Sequence, residues 1–230
     1  MNELLWFLLL LLNFGAIMVA FRLYGKLGLY IWIPISVIIA NIQVTKTVNL
    51  FGLEATLGNI VYATQFLATD VLSECYGKKD SKKAIGIGFL ALICLTVFMQ
   101  LALKFNPAES DFAHNALTTI FSLLPRLTVA SLIAYFLSNH HDIWAYAFWK
   151  KKFPGKKYIW IRNNASTFVS QLIDSVLFSF IAFYGVFPLD VVIEITISTY
   201  VLKWVVAMCD TPFIYLARKW FDEKKIPETF

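Results

Sequence analysis

The chain divides into seven apolar runs, each near the 20 or so residues that a helix needs to cross a bilayer. They are Leu4–Phe21, Leu27–Leu50, Leu57–Glu74, Ala84–Leu103, Arg126–Trp149, Asn164–Gly185 and Val191–Ala217. Few folds accept such a pattern. Of the 230 residues 59% are hydrophobic and 15% charged, against about 45–50% and about 25% in an average globular protein. One soluble core of this size cannot hide that excess. Disordered, collagenous and disulfide-scaffold chains are excluded by the same composition. The fold class is therefore an all-α polytopic membrane protein. The first run follows Glu3 rather than a basic segment and precedes no small-x-small cleavage site, so it reads as a membrane helix and not a signal peptide. The connection Phe105–Pro125 starts polar and continues as an amphipathic helix over Ala116–Leu124, suited to the membrane surface.

Lys and Arg set the orientation. Arg22 and Lys26 occupy the first connection and Lys78, Lys79, Lys82 and Lys83 the third. Lys150, Lys151, Lys152, Lys156, Lys157 and Arg162 occupy the fifth, and Arg218, Lys219, Lys224 and Lys225 the tail. These are sixteen of the 20 basic residues; the other connections hold only Lys104, and Lys46, Arg126 and Lys203 fall within runs or at their ends. The split predicts a multi-pass protein of the inner (plasma) membrane, N-terminus outside and C-terminus cytoplasmic, with an odd number of spans. Because the basic residues sit in short clusters between apolar runs, the net charge of +5 answers to topology and predicts no direct nucleic-acid partner.

Cys75, Cys94 and Cys209 lack the spacing of a disulfide framework or metal site. His140, His141 and Asp142 resemble a metal cluster, but neighbouring side chains on a helix diverge by about 100°, which disfavours a shared ion. No Ser–His–Asp arrangement, HExxH, P-loop or Gly-rich phosphate motif is present, so no catalytic residue, metal or cofactor is expected. Trp32, Trp144, Trp149, Trp160 and Trp220 lie near run ends, as an interfacial belt requires; Trp204 lies deep in the last run.

The polar residues inside the runs are more informative. An ionisable group near the bilayer centre costs at least about 2.5–3.5 kcal/mol, so each needs a partner or a task. The second run carries Asn41, Gln43, Thr45 and Lys46; the third, Gln65, Thr69, Asp70, Ser73 and Glu74; the sixth, Gln171 and Asp174; the seventh, Glu194, Lys203 and Asp210. Arg126 opens the fifth. Asp174 lies 14 residues before the turn at Pro188–Leu189 and Lys203 14 after it, which puts both about 21 Å from that turn, near mid-membrane. The same reasoning about a turn near Glu54 predicts Gln43 and Gln65 at one depth. Asp70 and Glu74 share a helix face. Bland readings stay open beside the functional one: a neutralised pair that locks two helices, Glu74 paired with the Lys78–Lys83 cluster, Arg126 anchoring a helix end, and glutamines as interhelical glue. A connected polar cavity accounts for the whole spread.

A family resemblance rests on these same positions. It is carried by Ala40–Lys46 (ANIQVTK), Phe66–Lys78 (FLATDVLSECYGK), Arg126–Tyr135 (RLTVASLIAY), Arg162–Thr167 (RNNAST), Ser170–Ser175 (SQLIDS), Phe180–Phe183 (FIAF), Lys203 and Asp210-Thr211-Pro212. In these stretches, which cover roughly residues 25 to 220, the chain resembles the queuosine-precursor transporters, sometimes grouped as vitamin uptake transporters. That family is similar to the substrate-binding components of energy-coupling-factor transporters. The resemblance thus implies a six-helix core at residues 25–221, with residues 1–24 as an additional N-terminal transmembrane helix and 222–230 as a cytoplasmic tail. It also implies uptake of a 7-deazaguanine compound for tRNA-modification salvage: 7-cyano-7-deazaguanine, 7-aminomethyl-7-deazaguanine or queuine.

The polar residues suit that cargo. A guanine-like base offers two parallel donors, which a carboxylate accepts together, and an O6 that needs a donor. The expected substrate-binding set is Asn41, Gln43, Lys46, Gln65, Asp70, Glu74, Gln171, Asp174, Lys203 and Trp204, with Asp174 reading the base, Lys203 orienting it, and Tyr62, Phe66, Phe178 or Trp204 stacking on the ring. The partners are the small-molecule base and the bilayer, with homo-oligomerisation left open. Two other classes compete: a capture subunit of an energy-coupling-factor type ATP-driven transporter, and an intramembrane enzyme, for which no nucleophile–base pair is found.

Overall fold

Gly25 folds the first two apolar runs back on one another. The computed structural model, which describes residues 1–186 and 188–227, begins with helix α1 (Asn2–Gln43). Straight, its 42 residues would extend about 63 Å, twice the hydrocarbon thickness. At Gly25 the backbone leaves helical geometry (φ 55°, ψ −134°), a conformation that costs a residue with a Cβ about 1–3 kcal/mol. A Cβ there would also lie 2.8 Å from the Pro227 carbonyl. Both arms return to one end of the molecule, because Asn2 Nδ2 donates to the Asn49 carbonyl at 3.1 Å.

The second run stops being helical at Gln43, short of the predicted Leu50. Strands β1 (Thr47–Leu50) and β2 (Leu53–Thr56) pair antiparallel with Leu50 opposite Leu53. Phe51 and Gly52 form the two-residue turn, both at positive φ (52° and 81°), the type I′ geometry that suits the twist of a hairpin. The Phe51 ring lies edge-on to Trp6 and Phe7, centroids 6.2 and 6.3 Å away, and ties the hairpin to the N-terminus.

Helix α2 (Gly58–Cys75) is the central element, buried along nearly its whole length and packed against α1, α3 (Lys78–Ala102), α5 (Leu124–Lys152) and α7 (Leu189–Asp222). Its start depends on Gly58, since a Cβ there would sit 2.3 Å from the Ala40 carbonyl. The short helix α4 (His114–Phe121) stands where the surface helix was predicted but ends earlier, because Pro125 opens α5. A 3₁₀ turn at Lys156–Tyr158 leads into α6 (Ile159–Phe183), which packs between α5 and α7.

Among the described residues five helical stretches are long and apolar enough to cross a membrane: Asn2–Gln43, Lys78–Ala102, His114–Lys152, Lys156–Phe183 and Leu189–Asp222. The exterior carries exposed Leu4, Leu8, Leu11, Leu23, Leu90 and Phe98, while Asp70, Glu74, Asp142, Arg162, Asp174, Lys203 and Asp210 are buried. That inversion of the soluble pattern is what lipid as solvent demands. Arg126 does more than mark a helix start. It donates to the Ile181 and Tyr184 carbonyls at 3.0 and 2.6 Å and caps the end of α6. Of the predicted tail, residues 228–230 lie outside the described residues.

Candidate functional site

The buried polar side chains fall into three levels along the bundle axis, between the end that bears the β-hairpin and the end that bears the clustered Lys and Arg. The level nearest the hairpin centres on Asp174 of α6. Lys203 Nζ of α7 donates to its Oδ2 at 2.5 Å. Tyr62 of α2 and Ser138 of α5 donate to Oδ1 at 2.6 and 3.2 Å. The Lys203 ammonium also stands 4.8 Å from the centre of the Tyr62 ring, a cation–π contact. Nearby, Ser131 donates to Asn41 Oδ1 (3.1 Å) and Asn59 Nδ2 to Thr199 Oγ1 (3.3 Å). The hollow lined by Asn41, Asn59, Tyr62, Asp174, Phe178 and Lys203 measures about 30 Å³, room for about two water molecules. Beyond Asn59–Thr199 and Val44, toward the hairpin end, a vestibule of about 830 Å³ opens between Thr45, Thr56, Thr119, Leu127, Glu194 and Thr199.

The middle level lies about 10 Å further along α6, two turns before Asp174. Thr167 donates to Asp70 Oδ2 (3.4 Å) and Asn163 to Asp210 Oδ1 (2.6 Å). Asp142 of α5 faces Asp70, carboxyl to carboxyl.

The level nearest the basic end is built on Glu74. Arg162 reaches its Oε1 at 3.1 Å, Lys150 its Oε2 at 3.4 Å and Arg218 its Oε1 at 3.7 Å, while Tyr146 donates to Oε2 at 3.2 Å. Glu74 therefore joins α2 to α5, α6 and α7 and does not pair with the Lys78–Lys83 cluster. Those lysines start a separate helix, whereas α5, α6 and α7 bring their cations across the bundle.

The structure thus assembles Asn41, Asp174 and Lys203 in one level, Asp70 in the next and Glu74 in the third. Gln65 accepts from Ser36 at 3.5 Å, about two turns away from Gln43. The predicted common depth of the two glutamines fails because strands replace helix on either side of Glu54. Gln43 is half-buried at the end of α1, and Lys46 is exposed beside the hairpin. Trp204 turns outward, edge-on to Phe168 at 6.0 Å, in a groove with Met208 and Pro212; neither it nor Lys46 lines the hollow. Gln171 is buried between the first two levels with both amide atoms unpaired. His140 and His141 diverge to Phe136 O and Ser170 Oγ. The expected set left out Asn59, Ser131, Ser138, Asp142 and Asn163, although Asp142 was weighed beside the histidines and Ser131 and Asn163 lie in stretches that carry the resemblance. Their signal was polarity at helical period: Ser131, Tyr135, Ser138, Asp142 and Tyr146 make one stripe down α5.

A bundle of long apolar helices with an apolar exterior, a charged interior and a vestibule at one end belongs to the class of polytopic membrane proteins. The sequence profile of the family described as "Putative vitamin uptake transporter" matches residues 56–217. A "Probable queuosine precursor transporter" of Bacillus subtilis (strain 168) is 44% identical over 218 residues, 95% of each chain. A protein of the same description from Haemophilus influenzae (strain ATCC 51907 / DSM 11121 / KW20 / Rd) is 29% identical over 138 residues, 59% of this chain and 55% of that one. The chain belongs to the queuosine precursor transporter family, also grouped as vitamin uptake transporters. No solved structure matches it.

Proposed function

We propose that the protein imports a 7-deazaguanine precursor of queuosine, crossing the membrane seven times with the hairpin end outside. The two arms of α1 supply two spans, and α2, α3, α5, α6 and α7 one each. The buried Asp174–Lys203–Tyr62 constellation beneath the vestibule carries the reading, and the description of the Bacillus subtilis relative supports the cargo. With no cargo, Asp174 and Lys203 neutralise one another, so the interior bears no unpaired charge at this level. An arriving base offers N1–H and its 2-amino group to Asp174 in place of the Tyr62 and Ser138 hydroxyls. Lys203 releases Oδ2 and donates to O6, while Tyr62 and Phe178 flank the ring. The hollow is far smaller than a bicyclic base, so entry requires Asn59 and Thr199 to part. Glu74 and its three cations hold the opposite end shut meanwhile.

The test is salvage in cells that neither make the precursor nor carry another importer. Each candidate base is supplied and queuosine in tRNA measured. The wild-type chain restores the modification with at least one base, and Asp174→Asn at equal membrane abundance does not. Absence of rescue by every base, or full rescue by the variant, defeats the reading.

A further inference from the structure

Asp70, Asp142 and Asp210 come from three helices, α2, α5 and α7, and meet inside the bundle at 1% exposure or less. Among the described residues none of them forms an ion pair; the cations nearest along the axis, Arg162, Lys150 and Arg218, are committed to Glu74. Three buried carboxylates without a cation cannot all stay ionised, because desolvation and mutual repulsion both oppose it.

The hydrogen-bond pattern says where a proton fits. Ser166, Thr167 and Ser170 surround Asp142, yet their hydroxyl protons go to Asn163 O, Asp70 and Ser166 O. Among the described residues none of these hydroxyls completes a hydrogen bond to an Asp142 oxygen, and Asp70 Oδ1 likewise has no donor. One proton shared by the Asp70–Asp142 pair supplies the missing donor, an O–H between the two carboxyl groups. A second observation comes from Gln171, fully buried with neither amide atom paired. It stands one turn from Thr167 and three residues from Asp174, on the face of α6 that joins this level to the base site. A buried amide with neither side paired calls for an explanation, and its place between the two levels suits a relay.

We propose that Asp70, Asp142 and Asp210 bind the proton whose entry drives uptake of the base. The step is simple in balance: a hydronium ion in the vestibule gives up a proton, which passes the Asp174 level to a carboxylate oxygen of the Asp70–Asp142 pair; one O–H bond breaks and one forms, and the new bond breaks when the proton leaves toward the basic end. Around the three stand Tyr146 of α5, which faces Asp70, His141, on Ser170, Asn163 and Thr167 of α6, and Cys209 beside Asp210 on α7. Among the described residues no charged side chain of α1 or α3 pairs with them. Asp210, held by Asn163 and close to Asp142, offers the exit once the helices part.

This inference rests on the transport reading, and the experiment separates the two. Purified protein is reconstituted in liposomes without an ATPase, with the membrane potential clamped by potassium and valinomycin. Radiolabelled 7-cyano-7-deazaguanine, 7-aminomethyl-7-deazaguanine and queuine are tested in turn. Base-for-base exchange reports transport without net proton movement. Net uptake under a pH gradient, acid outside, reports coupling, with internal pyranine following the proton. The expected result is exchange without a gradient, and accumulation approaching about tenfold per pH unit for one proton per neutral base, accompanied by internal acidification. Asp142→Asn is expected to lose most of that accumulation while still exchanging base. Exchange with no response to pH and no acidification in the wild-type protein overturns the proposal and leaves transport standing. Accumulation driven by a sodium gradient instead overturns it too. Absence of exchange with all three bases removes the transport reading itself.

Discussion

Arg162 donates from one guanidinium nitrogen to Glu74 Oε1 at 3.1 Å and from the other to the carbonyl of Phe153 at 3.0 Å. One side chain therefore ties α6 to α2 and also satisfies the chain leaving α5, with Pro154 and Gly155 carbonyls at 3.3 and 3.5 Å. Arg suits this position because its planar fork reaches several acceptors at once, which the single ammonium of Lys does not. Arg162→Ala leaves a buried carboxylate with weaker partners and unsatisfied carbonyls, at a cost of about 3–5 kcal/mol. The expected readout is a large fall in Tm in detergent and in membrane abundance, with Arg162→Lys intermediate. An unchanged Tm for the alanine variant would mean that this end of the bundle is held elsewhere.

The Asp174–Lys203 pair allows a sharper division between holding helices together and binding cargo. Lys203→Met alone leaves Asp174 without its cation, and Asp174→Asn alone leaves a buried cation. Each single change is expected to destabilise by about 3–5 kcal/mol and to lower uptake more than tenfold. The double change Asp174→Asn with Lys203→Met removes both charges. It is expected to recover Tm and abundance to near wild type while uptake stays lost. If uptake returns along with stability, the pair is a lock and the base is read by other groups.

The Asp174–Lys203 contact was legible because both residues lie on long helices joined by a short turn, so residue count converts directly into depth. The same count failed for Gln43 and Gln65, where Phe51-Gly52 closes a hairpin and strands replace helical rise. No Asn-Gly or Asp-Gly pair announced that turn, and the apolar Val48 and Leu50 blended into the run before it. Gly25 shows the converse: two runs were legible as separate spans, and the glycine permits the reversal between them. The partners of Glu74 were hidden because Lys150, Arg162 and Arg218 are far off in sequence and look like topology signals. Asp142 was hidden by its neighbours, since His140 and His141 drew the attention to metal chemistry while the α5 stripe of polar residues pointed inward.

Orientation is open to direct labelling. With Cys75, Cys94 and Cys209 replaced by serine, a single cysteine at Phe112, which is 96% exposed near α4, is expected to react with a membrane-impermeant maleimide in intact cells. A cysteine at Lys151 or Lys157, at the basic end, should react only after permeabilisation. The reverse pattern would invert the topology and place the vestibule on the cytoplasmic face.

Entry to the base site passes Thr199, whose hydroxyl accepts from Asn59 Nδ2 at 3.3 Å and which also lines the vestibule. Thr199→Trp fills the passage without altering Asp174 or Lys203, and the vestibule of about 830 Å³ has room for the ring. The expected outcome is uptake reduced at least tenfold, with a fall in Tm no larger than that of Thr199→Val, since both variants take the acceptor from Asn59. Thr199→Ser keeps the hydroxyl that accepts from Asn59 and is expected to retain most uptake. Thr199→Val keeps the shape and removes the acceptor, so it leaves Asn59 Nδ2 unpaired at a cost of about 1–3 kcal/mol and loosens the closed state. A higher rate of base exchange in Thr199→Val than in wild type would mark this contact as a gate. Equal rates in all three variants would mean that the base reaches Asp174 by another route.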